Sequence, residues 1–133
     1  FGIINSDLFK GVSVVESVQG AIDAANINIA ENKVLNVKAF VLDAKSIGKL
    51  NLSKNLYVVN DPPRSGMHPK ALLSLKELKP KVIVYVSCNV EQLEKDVQKF
   101  KQYTVKSAAM FDLFPQTPHI EAIVELVLKE ETD

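Results

Sequence analysis

Apolar and polar positions follow two rhythms along this chain. Short apolar runs occur at Val12–Glu16 (VSVVE), 37–43 (VKAFVLD), 56–60 (LYVVN) and 82–86 (VIVYV) and read as strands. Between them the apolar residues recur at helical spacing. Val18, Ala21, Ile22, Ala25 and Ile29 form one stripe over Gln19–Glu31, and Ala71, Leu72, Leu75 and Leu78 form another over Pro69–Leu78. Val90, Leu93, Val97 and Phe100 form a third over 91–101. The run at 82–86 has no polar break and is mostly β-branched, the pattern of a strand buried on both faces of a parallel sheet. Two more strands are expected at 103–110 and 122–128, separated by an irregular stretch at 111–120. Residues 1–9 have helix-compatible spacing at Ile3, Ile4 and Leu8, and 45–54 reads as loop with a short turn. Strands alternate with helices, and then two strands follow in succession. That order predicts an α/β fold with a mainly parallel sheet, closed at one edge by an antiparallel hairpin. No internal repeat or domain boundary stands out.

The breaks between elements are where the chemistry concentrates. Glu16, Asp43 and Asp61 each close a strand. Such acids can simply face water, but in dinucleotide-type sheets an acid at a strand end commonly accepts hydrogen bonds from ribose hydroxyls. Asp61 opens the segment DPPRSG, whose two prolines cannot continue a ladder and so hold a rigid polar turn at the sheet edge. A related Pro-Pro-aromatic turn stacks the target base in amino-group methyltransferases. Arg64 occupies the aromatic position here and suits a phosphate instead. Cys88 lies in Ser87-Cys88-Asn89, where the central strand gives way to a helix. Asn89 with Gln92 resembles a capping box. A lone cysteine is often a small buried hydrophobe. At the carboxyl end of a parallel strand, beside a helix amino terminus, it is placed instead as a nucleophile with its thiolate favoured. Glu121 enters an apolar strand, and the partial desolvation expected there suits a carboxylate to accept a proton. His68 and His119 read as loop histidines.

Composition narrows the picture. The 133 residues are 47% hydrophobic, enough for one modest domain with a core. No run approaches the ~20 apolar residues of a membrane span, and no signal-peptide pattern opens the chain. One cysteine excludes an internal disulfide and disfavours a metal cluster; it fits a reducing, cytoplasmic location. Formal net charge is zero and Arg64 is the sole arginine, so any grip on nucleic acid must be local or lie elsewhere.

Three segments together, Asp61-Pro-Pro-Arg-Ser-Gly66, Tyr85-Val-Ser-Cys-Asn89 and Phe114-Pro-Gln-Thr-Pro-His-Ile-Glu121, resemble the RNA uracil-5-methyltransferases in order and spacing. The resemblance covers nearly all of 1–133 as a catalytic domain with the Rossmann-like methyltransferase fold. It implies S-adenosylmethionine as cofactor and tRNA or rRNA as substrate. By motif, Cys88 would be the nucleophile and Glu121 the base that removes the proton from carbon 5. Glu16 and Asp43 would hold the cofactor's ribose and adenine, and Asp61 would stand between cofactor and uracil. Arg64 and Asn89 would face the RNA. The family usually has proline after Cys-Asn; here it is Val90. Its first strand and Gly-rich cofactor turn are expected upstream of Phe1, so the domain reads as truncated at its amino end. The alternative is a non-catalytic remnant that binds RNA or protein.

Overall fold

The computed structural model describes residues 6–130. The chain divides into two compact units, Phe1–Lys49 and Leu50–Asp133. In the first, β1 (Val12–Glu16) and β2 (Val37–Val41) pair in parallel, with α1 (Gln19–Glu31) as the crossover and a 3₁₀ turn at Ala44–Lys49. Ile22, Ala25 and Ile29 turn to the covered side of α1, and Ile22 is buried. Val18, the N-cap, brings no side-chain bond; Glu16 takes its N–H instead. Of the helix-compatible stretch at 1–9, Ile3 and Ile4 lie outside the described residues. Leu8 stands in a turn, largely exposed.

The second unit is a four-stranded sheet in the order β3-β4-β6-β5. Its strands are β3 (Tyr57–Asn60), β4 (Val82–Ser87), β5 (Tyr103–Phe111) and β6 (Glu121–Leu128), with helices α2 (Pro69–Leu78) and α3 (Val90–Val97). β3 and β4 are parallel, which requires the α2 crossover; β6 runs antiparallel to both β4 and β5. The two last strands thus form a hairpin, and its second strand is the one that joins β4.

Helices and sheet share one core: Leu72 and Leu75 of α2, Leu93 of α3, and Ile83, Tyr85, Ala122, Val124 and Leu126 of the sheet. Phe100 and Tyr103 close it with an edge-on ring contact at 5.8 Å. The periodicity of β4 differs from the expected two-sided burial. Ile83, Tyr85 and Ser87 are buried, whereas Val82, Val84 and Val86 are only half-buried. Within this unit the core lies on one side of the strand, and Val86 on the other side borders a cleft.

Local chemistry fixes the helix ends. Pro69 opens α2 beneath the N-cap His68, whose Nδ1 accepts the Lys70 N–H at 3.1 Å; Lys79, at φ 44°, ends it in left-handed geometry. Asn89 caps α3, its Oδ1 accepting the Gln92 N–H at 3.2 Å. The reciprocal half of a capping box does not form. The Asn89 N–H goes to Ser87 Oγ, and the Gln92 amide goes to Asp96. α3 stops at Val97 rather than running to 101, and a turn then carries Phe100 into the core.

Candidate active site

Parallel register puts Asn60 beside Tyr85, so Asp61 follows at the same sheet end as Ser87 and Cys88. Antiparallel register pairs Ser87 with Ala122 and Val86 with Ile123, which sets Cys88 opposite Glu121 one step further on. On the outer side, Phe111 pairs with Glu121. The result is a cleft of about 400 Å³ lined by Asp61, Val86, Cys88, Phe111, Leu113, Glu121 and Ile123. Its volume lies in the ~300–1,000 Å³ range of small-molecule sites. Side-chain alternation explains the lining. Val86, Cys88, Glu121 and Ile123 all project from the face opposite Tyr85 and Val124, which are buried. Cys88 and Glu121 are half-buried, and Asp61 is exposed. Two carboxylates and a thiol therefore share a pocket whose remaining walls are apolar.

Arg64 and Asn89 meet through the backbone: Asn89 Nδ2 donates to the Arg64 carbonyl at 3.2 Å. Asn89 is thus a structural link as well as a helix cap, one amide oxygen and one amide nitrogen serving two partners. The Arg64 side chain is exposed.

Glu16 and Asp43 belong to the first unit. There they stand at the carboxyl end of neighbouring parallel strands, where the Leu42 N–H reaches the Glu16 carbonyl at 2.9 Å. Glu16 Oε1 accepts from the Ser17 N–H at 2.6 Å, the Val18 N–H at 3.1 Å and the Ser17 hydroxyl at 3.1 Å. The Val18 and Ser17 N–H groups, then the hydroxyl, hold this exposed carboxyl below its ordinary range. Asp43 caps the 3₁₀ turn. Its Oδ1 takes the Lys45 N–H at 2.9 Å and its Oδ2 pairs with Lys45 Nζ at 3.1 Å.

One residue escaped the motif reading. Asp96 is fully buried, yet four donors converge on it. Oδ2 accepts Tyr85 Oη–H at 2.7 Å and the Met67 N–H at 2.9 Å; Oδ1 accepts Lys99 Nζ at 2.8 Å and Gln92 Nε2 at 3.2 Å. Burial pushes its carboxyl up, but the bonds from Lys99, the Met67 N–H and Tyr85 outweigh that and keep it below the usual value. Burial, reinforced by Asp96, pushes the Tyr85 phenol far up. The signal was present in the sequence: Leu93, Asp96, Val97 and Phe100 follow i, i+3, i+4, i+7, so an acid sits on the apolar stripe. The described residues contain no cluster of three metal-ligating side chains, and no helix among them is long and apolar enough to cross a membrane.

The model of the tRNA (uracil-5-)-methyltransferase family matches residues 1–129. The chain belongs to that family. An uncharacterized RNA methyltransferase of Chlorobaculum tepidum is 40% identical over 120 residues, covering 85% of this chain and 24% of the relative. The tRNA (uracil(54)-C(5))-methyltransferase of Pyrococcus horikoshii is 36% identical over 121 residues, covering 90% of this chain and 28% of the relative. Among solved structures, the tRNA (uracil-54, C5)-methyltransferase of Pyrococcus abyssi, in complex with S-adenosyl-L-homocysteine, superposes with a TM-score of 0.83 at 35% identity. That match covers 96% of this chain and 31% of the other. An rRNA methylase from Streptococcus thermophilus, only 10% identical, shares the fold with a TM-score of 0.73 over 96% of this chain and 79% of its own. The Rossmann-like methyltransferase fold implied by the family resemblance is the fold observed. The chain spans only about a quarter of the length of these two curated relatives.

Proposed function

We propose that this chain is the catalytic part of an enzyme that methylates carbon 5 of a uridine in tRNA or rRNA, with S-adenosylmethionine as the methyl donor. The observation that carries the reading is the shared lining of one cleft by Cys88, Glu121 and Asp61. Carbon 5 of uracil is a weak nucleophile. Addition of the Cys88 thiolate to carbon 6 forms a C–S bond and moves the ring's electron pair toward carbon 5 and the O4 enolate. S-adenosylmethionine, when bound, would supply the methyl group to that carbon from its electrophilic sulfonium, the S–CH3 bond breaking so that the sulfur leaves as a neutral thioether. Glu121 then takes the proton from carbon 5. The C–H electrons restore the 5,6 double bond, and the thiolate leaves. Cysteine suits both addition and departure. Glu121 beside an apolar wall suits the proton transfer. A base must leave its stack to enter such a cleft, and the partly exposed Phe111 ring supplies a surface against which it can lie.

For the cofactor, the first unit has a fitting acceptor. Glu16 has one oxygen held by Ser17 and Val18, and its second is chemically suited to accept from a ribose diol. Asp43 is already engaged with Lys45, so adenine contact there requires that pair to open or share. In this reading Asp61 supplies an acceptor between cofactor and base, and the exposed Arg64 stands toward the RNA. The Asn89 amide is already engaged with Gln92 and the Arg64 carbonyl, so RNA contact there requires one of those bonds to open or share.

The test is incubation of the protein with S-adenosylmethionine and RNA containing 5-fluorouridine. Fluorine at carbon 5 blocks the final proton removal, so a covalent protein–RNA adduct accumulates and vanishes in Cys88→Ala. Methyl transfer to uridine RNA with no adduct, or an adduct that survives in Cys88→Ala, overturns the role of the thiol. RNA binding without methyl transfer points to the remnant reading instead.

A further inference from the structure

The segment 61–67 carries Asp61 to the cleft and is tied to the α3 side of the molecule at two points. Asn89 Nδ2 donates to the Arg64 carbonyl, and Asp96 Oδ2 accepts from the Met67 N–H. Between these ties the Gly66 N–H closes a turn on the Pro63 carbonyl at 2.8 Å. Gly66 is at φ +83°, and a Cβ there would meet Asp96 Oδ2 at 2.5 Å and the Gln92 side chain at 2.6 Å. The backbone therefore lies directly on the carboxylate, with no room for a side chain between them.

We propose that Asp96 is a positioning residue, which holds the 61–67 turn in register with β4 and α3 and so fixes where Asp61 stands relative to Cys88. Three features support a role beyond filling the core. The carboxylate is wholly buried, where an apolar residue would pack without needing four donors. One of its oxygens joins the core strand, through Tyr85, to the turn, through Met67. The helix that carries it also begins just beyond Cys88, so turn and thiol share one reference frame. Asp96 touches no reacting atom; it acts through Asp61. The inference rests on the reading of the cleft as a uridine methylation site.

Two variants approach the contact from opposite sides. Asp96→Asn keeps the shape but gives up one acceptor. Gly66→Ala forces the turn off an intact carboxylate and removes no buried group. Amide hydrogen exchange on the full protein is expected to rise about tenfold or more for 64–67 in both, while β4 and β6 keep their protection. The rate of methyl transfer to a uridine RNA transcript should fall by roughly ten- to a hundredfold, the scale of a small misplacement in a site. In an Asp61→Ala background that further loss should disappear, because the turn then has no carboxylate to place. Unchanged exchange at 64–67, equal loss of protection through β4 and β6, or losses that multiply with Asp61→Ala each overturn the proposal. A wild-type protein that transfers no methyl group sinks the functional reading, whereas the exchange measurement still decides whether Asp96 holds the turn.

Discussion

Cys88 and Glu121 face one cleft from adjoining antiparallel positions, and their proposed tasks come at different times. The thiol acts first and the carboxylate last. Substitution should therefore stop the reaction at different points. Cys88→Ala leaves the ring unactivated. Glu121→Gln retains size and polarity but cannot take the carbon 5 proton, so the methylated base should stay bonded to Cys88. Denaturing gels of Glu121→Gln with ordinary uridine RNA are expected to show a covalent adduct that the wild type resolves. Turnover should fall at least about a hundredfold, the usual scale of a lost general base. A Glu121→Gln protein with full turnover and no adduct would remove the carboxylate from the mechanism. The same acid was legible in the sequence as a glutamate entering an apolar strand and as the last residue of the Phe114–Glu121 motif. The identity of the residue facing it depends on which strand becomes its neighbour.

At the scale of single elements, the site is built on caps and crossovers. Asn89 serves α3 with its amide oxygen and the Arg64 carbonyl with its amide nitrogen. Asn89→Ala should cost about 1 kcal/mol of stability for the lost cap. It should also loosen the turn, which Asn89→Asp, keeping the cap but not the donor, would reproduce. Urea unfolding separates the two: Asn89→Asp should be the more stable of the pair, with the same mobile turn. α2 is the crossover between β3 and β4 and packs on the core. Leu75, 2% exposed, sits between the helix and the sheet core, and Leu75→Ala should lower unfolding stability by about 2–5 kcal/mol. The helical stripes and the Pro69 start were readable from spacing. The end of α3 at Val97 was not, because Phe100 continues the apolar stripe into the turn beyond the helix.

For the whole molecule, the buried carboxylate links stability to pH. The folded state holds Asp96 below its ordinary value of 3.8, so the unfolded chain binds the proton more readily. Its contribution is therefore fully present above about pH 4 and is lost as pH falls through the folded value. Chemical denaturation at stepped pH should show wild type and Asp96→Asn converging in acid and diverging toward neutrality. A gap that stays constant from pH 3 to pH 7, or widens in acid, would contradict the sign. By itself the amino-acid sequence determined the strand–helix order, the helical stripes, the sharp turn at Asp61 and the family motifs. All of these are set by neighbours a few residues apart, where backbone sterics and 2- or 3.6-residue periodicities act directly. Only the tertiary structure decided that β6 inserts beside β4, which sets Glu121 opposite Cys88, and that Asp96 is a fully enclosed acceptor and not a solvated helix charge. Both depend on partners distant along the chain, Glu121 some thirty residues from the thiol and Met67 a similar span from Asp96. Hydrogen-bond register and burial, not local preference, select those pairings.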